Sequence, residues 1–363
     1  MSESQPAVPP AAGEIPVPRN VEEALSPEWL SAALGTRFPG IRVTRVLPGP
    51  VVSRLTTNVR FGIECAGGLP AGLPGHLCVK GYFTEKGWPS RFAGVPEAMF
   101  YRELADRAGI RTLRAVYADV DPASGANVVI SEDVVAAGGT FLDGLGEYTP
   151  DQAAESLAQL ARLHAALWGD QAAAKADWLQ PRLSHTLQVR GIKEISGNFQ
   201  SEIGAGVPEE VRDAQRLVDS YRQLAAVTEN ATPWTVIHGD PHLANVYLDG
   251  AGRPSFTDWQ VAQRGPWYLD VGYHLATALT VADRRKNEDD LVRHYLDHLR
   301  AAGVDAPGWD EAWVGVRRGI LHGFYMWAIT LLVKPAITTT FLTRLGTAVA
   351  DHDVYASVAS VVE

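Results

Sequence analysis

Near residue 149 the hydrophobic rhythm of this 363-residue chain changes, and the two halves ask for different secondary structure. Upstream, "IRVTRVLPG", "TTNVRFGIECA" and "GHLCVKGYF" are short, β-branched or aromatic runs parted by Gly/Pro turns, the pattern of an antiparallel meander. A helix is expected over "VPEAMFYRELADRAG", with Ala98, Tyr101, Leu104 and Ala105 along one side and Gly109 at its end. "RAVYADVD" and "NVVISEDV" then form a hairpin across "DPASGA". Downstream, "TPDQAAESLAQLARLHAALWG" is a long helix with a Thr N-cap, a second helical stretch covers 207–228, and helical patterns run from Tyr268 to Val361.

A chain beyond about 250–300 residues divides its core, so two lobes are expected. The reading is α+β: a Pro/Ala leader over 1–20, disordered; a β-rich nucleotide-binding lobe over 21–133 with a capped helix from Ser26; a hinge near Glu132; and a mainly helical lobe over 134–363.

A formal charge of -10 argues against a nucleic-acid surface, which needs clustered Lys and Arg. Only "DRRKN" at 283–287 is locally basic, and it reads as a solvated helix end. The N-terminus has neither a basic start nor an apolar core segment, so no membrane partner and cytoplasmic residence are expected. "ILHGFYMWAITLLV" at 320–333 is too short to span a bilayer and reads as a buried helix. Cys65 and Cys78 are too few for a disulfide framework and read as inert core thiols. A monomer or a homodimer fits this composition.

The chemistry concentrates in "VIHGDPHLANVYLDG" at 236–250 and in "FTDWQ" just after it. Between them "NVYLD", a "GAGR" turn and "PSFTD" make a hairpin, which returns Asp258 beside Asn245. An amide and a carboxylate at a hairpin mouth form a hard-oxygen pocket suited to Mg2+, which keeps waters and takes phosphate oxygens as its remaining ligands. Asp240, on the loop leading in, is left free to act as a base. Phosphoryl transfer asks for such a base, a metal and a cation on the other phosphates. Lys80, at the end of the apolar strand "HLCVK", supplies the cation, with Glu97 or Glu103 as its anionic partner.

"HGDPHLAN", "FTDWQ" and "YLDVGYHLAT" resemble the aminoglycoside phosphotransferase and choline-kinase-like superfamily, and "DWQ" with "EAMFYREL" most resembles its ecdysteroid-kinase-like branch. The resemblance covers roughly residues 40–345. It implies a bilobal protein-kinase-like fold that moves the γ-phosphate of ATP to a hydroxyl of a small molecule. It further implies Asp240 as catalytic base, Asn245 and Asp258 as Mg2+ ligands, and Lys80 on the α- and β-phosphates, paired with Glu97 rather than Glu103. Asp270 would tie down the catalytic loop, His238 would hold it, and the backbone from Glu132 to Val134 would meet adenine. No G-x-G-x-x-G precedes Lys80; backbone amides from Ser53 through Thr56 to Thr57 are expected to cover the phosphates instead.

Three other readings fit less well. "HGDPH" could ligate metals in a phosphoesterase, but the remaining histidines look scattered. A nucleotide-binding pseudokinase would lack one of the polar groups that are present here. A regulatory protein kinase needs a phosphorylatable activation loop, for which the eleven residues between Asp258 and Asp270 are too few. As for the acceptor, an aminoglycoside would favour a carboxylate-lined wall, whereas 311–350 carries few acids, so a fairly apolar alcohol is expected.

Overall fold

The computed structural model describes residues 15–359. Two compact units divide them: one holds the chain up to Asp106 and Thr112–Gly139, the other Arg107–Arg111 and Thr140 onward.

In the first unit, helices α1 (Val21–Ala24) and α2 (Pro27–Gly35) precede β1 (Val43–Ser53), β2 (Thr57–Cys65) and β3 (His76–Gly81). Helix α3 (Val95–Met99) follows, then β4 (Ala115–Val120) and β5 (Asn127–Glu132). The five strands form one antiparallel sheet in the order β1-β2-β3-β5-β4. Ser26 caps α2 through its hydroxyl, with Pro27 at the first helical position, where the missing amide costs nothing. Alternation places Val59, Phe61 and Ile63 of β2 and Leu77 and Val79 of β3 on one face, against Leu30 and Leu34 of α2.

Two expectations for this unit are corrected. Residues 1–14 of the expected leader lie outside the described residues, but residues 15–20 are no leader. Ile15 is buried in the core, and the Trp29 indole donates to the Pro16 carbonyl at 2.8 Å. The helix expected over "VPEAMFYRELADRAG" widens at Phe100–Leu104 into a π-turn, where the Ala105 amide donates to the Phe100 carbonyl. Phe100 and Tyr101, at the start of this wider turn, are both buried. Cys65 and Cys78 are free and half-buried, and burial pushes the Cys78 thiol up to about 12, so it stays protonated and inert.

The second unit opens with β6 (Thr140–Phe141) and α4 (Pro150–Ala166), whose Thr149 cap is completed by Gln152 reaching back. Short helices α5 (Gln171–Ala174), α6 (Leu183–Val189) and α7 (Ile192–Gln200) lead to α8 (Ala214–Thr228). The expected start at 207 moves to Asp213, which caps α8; Glu209–Val211 is a separate short turn. Strands β7 (Thr235–Ile237), β8 (Val246–Leu248), β9 (Pro254–Phe256) and β10 (Gln263–Gly265) follow. The chain then runs through α9 (Tyr268–Ala278), α10 (Val281–Ala301), α11 (Trp309–Ala328), α12 (Pro335–Asp351) and α13 (Val354–Ala359). β8 pairs with β9 and with β6, while β10 pairs back onto β7.

Helices α9 and α11 lie unusually close, and glycines make the approach possible. A Cβ at Gly272 would fall 2.1 Å from the Val316 carbonyl, and one at Gly319 2.0 Å from the Tyr268 carbonyl. Gly323, one turn further along α11, leaves room for the Tyr273 ring. The spacing of Gly315, Gly319 and Gly323 puts all three on one helical face.

Two further corrections concern solvent. The apolar run 320–333 is not one helix: α11 ends at Ala328, and Leu331, Leu332 and Val333 are 50%, 76% and 37% exposed. "DRRKN" is not simply solvated either, because Arg284 is 1% exposed and held by Glu288 and Asp351. Among the described residues no helix is long and apolar enough to cross a membrane.

Candidate active site

Strand β7 ends at buried Ile237, and the chain turns through His238, Gly239, Asp240 and Pro241. Gly239 has a φ of 79°, and a Cβ there would meet the Val261 carbonyl at 2.4 Å, so only glycine fits. Asp270, in the first turn of α9, fastens this turn. One carboxylate oxygen accepts the His238 amide at 2.7 Å and the other the Gly239 amide at 2.8 Å. The side chain is fully buried; burial alone raises its pKa, but neighbouring His164 and His238 and the amide bonds outweigh that and hold it below the usual carboxylate range.

Four buried histidines complete the fastening, each in the tautomer that its partners assign. His238 accepts the Asp240 amide at Nδ1 and donates from Nε2 to the Thr257 carbonyl at 2.9 Å. His164 of α4 accepts from the Tyr295 hydroxyl and donates to Asp270 Oδ2 at 3.2 Å. His274 of α9 donates to the Pro241 carbonyl at 2.7 Å and accepts from Ser156; burial pushes its pKa down to about 4. His322 of α11 accepts from Tyr221 and donates to the Gly239 carbonyl at 3.0 Å. Three of the histidines read as scattered in the sequence, His164, His274 and His322, therefore converge on this loop and its fastening, and their ring nitrogens are engaged in protein hydrogen bonds.

Asp240 is 21% exposed in its side chain. Its Oδ1 accepts the Tyr273 hydroxyl at 2.7 Å, and Oδ2 lies 3.4 Å from His242 Nε2. Burial raises the carboxyl, but His242, Tyr273 and His238 together bring it down to about 2, so it is ionised at neutral pH. His242 packs edge-on against Trp327 and beside Phe341.

Asn245 sits at the start of β8 and donates from Nδ2 to the Asp240 carbonyl at 2.9 Å, which turns its Oδ1 the other way. The Asn245 carbonyl in turn accepts the Thr257 amide at 2.9 Å, so the β8/β9 hairpin does bring residue 258 back beside residue 245. The turn itself is closed by Asp249, whose side chain accepts the Ala251 and Arg253 amides. Asp258 holds a left-handed backbone, φ 65° and ψ 66°, a conformation rare for a residue with a Cβ. Next to it Trp259 is fully buried with its ring 4.5 Å from His238, and Gln260 and Gln263 are bonded to Arg182. A carbonyl-type oxygen from Asn245 and a carboxylate from Asp258 are the hard donors that Mg2+ takes. Among the described residues no three His, Cys, Asp or Glu side chains gather as a metal site.

In the first unit, Lys80 Nζ lies 2.7 Å from Glu97 Oε2, with both side chains largely buried. Glu103 pairs instead with Arg102, so of the two acids open in the sequence the structure brings Glu97 to the lysine. Glu132 ends β5, and the adjoining Asp133 is tied by Arg60 at 2.8 Å. The Val134 carbonyl accepts the Gly139 amide at 2.7 Å, so one of its two lone pairs is already used within the chain. Ser53 and Thr57 face each other across the β1/β2 ladder, and the Arg54 amide donates to the Thr56 carbonyl at 2.9 Å. The tip is therefore a tight turn, and the Arg54 amide, expected to face phosphate, is used inside it.

The sequence reading missed Tyr273, His164, His274 and His322. A signal existed for two of them: Tyr273 and His274 stand three and four residues after Asp270 in a helix, hence on its face.

A sheet-bearing unit with a strand lysine paired to a helix glutamate, joined in sequence to a helical unit with a fastened aspartate loop, defines a kinase-like phosphotransferase. The ecdysteroid kinase-like family model matches residues 99–304, more than half of the chain, and the chain belongs to that family. It is accordingly a small-molecule kinase. Among solved structures, the GDP complex of wild-type aminoglycoside 2'-phosphotransferase-IIIa is 14% identical, with 90% of this chain and 99% of that chain covered and a TM-score of 0.51. That likeness shows the fold. A choline/ethanolamine kinase family protein from Mesorhizobium loti is 17% identical, covering 86% and 93%, with a TM-score of 0.46. Choline kinase LicA from Streptococcus pneumoniae is 14% identical, covering 85% and 94%, with a TM-score of 0.45. No curated protein matches the chain by sequence.

Proposed function

We propose that the protein transfers the γ-phosphate of ATP to a hydroxyl of a small, fairly apolar alcohol, with Asp240 as the group that orients the hydroxyl and takes its proton. The observation that carries this reading is the Asp240 carboxylate, ionised and part-exposed on a loop fastened by Asp270, with Asn245 hydrogen-bonded to the same residue. Lys80, held by Glu97, would neutralise the nucleotide's inner phosphates. Asn245 and Asp258 would hold Mg2+, which when bound neutralises charge on the phosphate oxygens. The attacking oxygen bonds to phosphorus, the bond to the bridging oxygen breaks, ADP departs with that electron pair, and the hydroxyl proton passes to Asp240. A carboxylate near pKa 2 is a weak base, so its contribution is chiefly orientation.

The apolar acceptor is supported by the side chains around His242: Trp327 and Phe341 are buried beside it, while α12 holds no acid before its last residue, Asp351. The test is ADP release from magnesium–ATP against a panel of sterols, macrolides, amino alcohols and aminoglycosides. An alcohol of low polarity should stimulate release, and Asp240→Asn and Asp258→Ala should each reduce the stimulated rate to below about 1%. Stimulation by aminoglycosides alone would overturn the acceptor class; full activity in Asp258→Ala would overturn the metal assignment.

A further inference from the structure

We propose that Tyr273 is a positioning residue for phosphoryl transfer: its hydroxyl fixes the plane of the Asp240 carboxylate and leaves Oδ2 as the oxygen that receives the acceptor's proton. The inference rests on the reading of Asp240 given above. The Tyr273 hydroxyl has one proton, and it is donated to Asp240 Oδ1 at 2.7 Å. A carboxylate can turn about its Cβ–Cγ bond, and a side chain 21% exposed is free to do so unless something holds it. Oδ2, by contrast, has only long contacts among the described residues, 3.4 Å to His242 Nε2 and 3.5 Å to Asn245 Nδ2, and so retains capacity for a short bond to an incoming hydroxyl.

Tyr273 is built to be rigid. Its ring is 1% exposed and lies in the space that Gly323 leaves open, where a Cβ would come within 2.5 Å of Cδ2. Its helix is the one whose Asp270 fastens the His238 and Gly239 amides. One helical face thus fixes both the loop's main chain, through Asp270, and the reacting side chain, through Tyr273. The transfer itself is unchanged: the acceptor oxygen forms the new bond to phosphorus, ADP leaves with the electron pair, and the proton ends on Oδ2.

A kinetic double-mutant cycle tests this, with the best alcohol of the panel as acceptor and water as a second probe. Tyr273→Phe keeps the ring and removes only the hydroxyl. It should lower kcat about 10- to 100-fold, the size of one lost charge-assisted hydrogen bond, with KM for ATP within about twofold of wild type. Introduced into Asp240→Asn, the same change should alter the residual rate by less than about twofold, because Tyr273 acts through that carboxylate. Gly323→Ala, which displaces the ring and spares the hydroxyl, is the second arm and should lose its kinetic effect in the same background. An equal loss from Tyr273→Phe in wild type and in the Asp240→Asn background would reduce Tyr273 to a packing role and overturn the inference, as would wild-type kcat in Tyr273→Phe. If Asp240→Asn itself leaves ADP release untouched, or wild type releases none with any probe, the reading of Asp240 fails and takes this inference with it.

Discussion

Replacing Asp270 by Asn changes one atom and one charge in the group that fastens the loop bearing Asp240. Asp270 accepts three hydrogen bonds from fully buried surroundings: the His238 amide and His164 Nε2 on Oδ2, and the Gly239 amide on Oδ1. An asparagine can keep its carbonyl toward the first two, but its NH2 then faces the Gly239 amide, donor against donor. One charge-assisted bond is lost, worth about 1.5–3 kcal/mol, and a buried donor is left unsatisfied at about 1–3 kcal/mol more. The expected loss is therefore about 3–5 kcal/mol, in the range for breaking a buried ionic pair. Urea unfolding followed by tryptophan fluorescence reads it, since eight of the ten tryptophans, from Trp168 to Trp327, belong to the unit that contains Asp270.

The pH dependence follows from the depressed pKa of Asp270. A carboxyl lower in the folded than in the unfolded state contributes stability that is present above the unfolded value, about 3.9, and is lost as pH falls through the folded value. The gap between wild type and Asp270→Asn should be constant from about pH 5 to 8 and close only below about 4. A variant within about 1 kcal/mol of wild type at neutral pH, with an unchanged denaturant slope, would refute the reasoning.

Two further outcomes follow from particular contacts. Gly323→Ala places a methyl 2.5 Å from Tyr273 Cδ2 and 2.9 Å from Leu345 Cδ2, an overpacking of about 1–3 kcal/mol that the helix-propensity gain of about 1 kcal/mol only partly offsets; thermal unfolding should show a lower midpoint. Lys80→Ala and Glu97→Gln should each raise KM for ATP at least about tenfold, whereas Glu103→Gln should leave it within about twofold, because Glu97 pairs with the lysine and Glu103 with Arg102.

Much of the candidate site was legible because its parts are close in sequence and joined by regular structure. The strand lysine follows from alternation and order, which left its partner between Glu97 and Glu103, and the return of Asp258 beside Asn245 follows from a hairpin whose turn Asp249 closes. Capping chemistry at Ser26 and Thr149 was equally readable, since it depends on three or four consecutive residues. The π-turn at Phe100 was not: the local pattern suits an ordinary helix, and packing selects the wider turn.

What the chain's sequence settled without help is whatever depends on neighbours within a turn, a strand or a hairpin: the order of strands and helices, the loop that bears Asp240, and the hairpin that carries Asn245 and Asp258. Tertiary structure alone decided which distant groups serve that loop. His164 meets Asp270 across 106 positions, His322 meets Gly239 across 83, and Tyr273 meets Asp240 across 33. It also decided that Arg284 would be buried and Leu332 exposed. A buried polar group must find a partner wherever packing supplies one, and periodicity in a sequence records which face is apolar but not which element will lie against it.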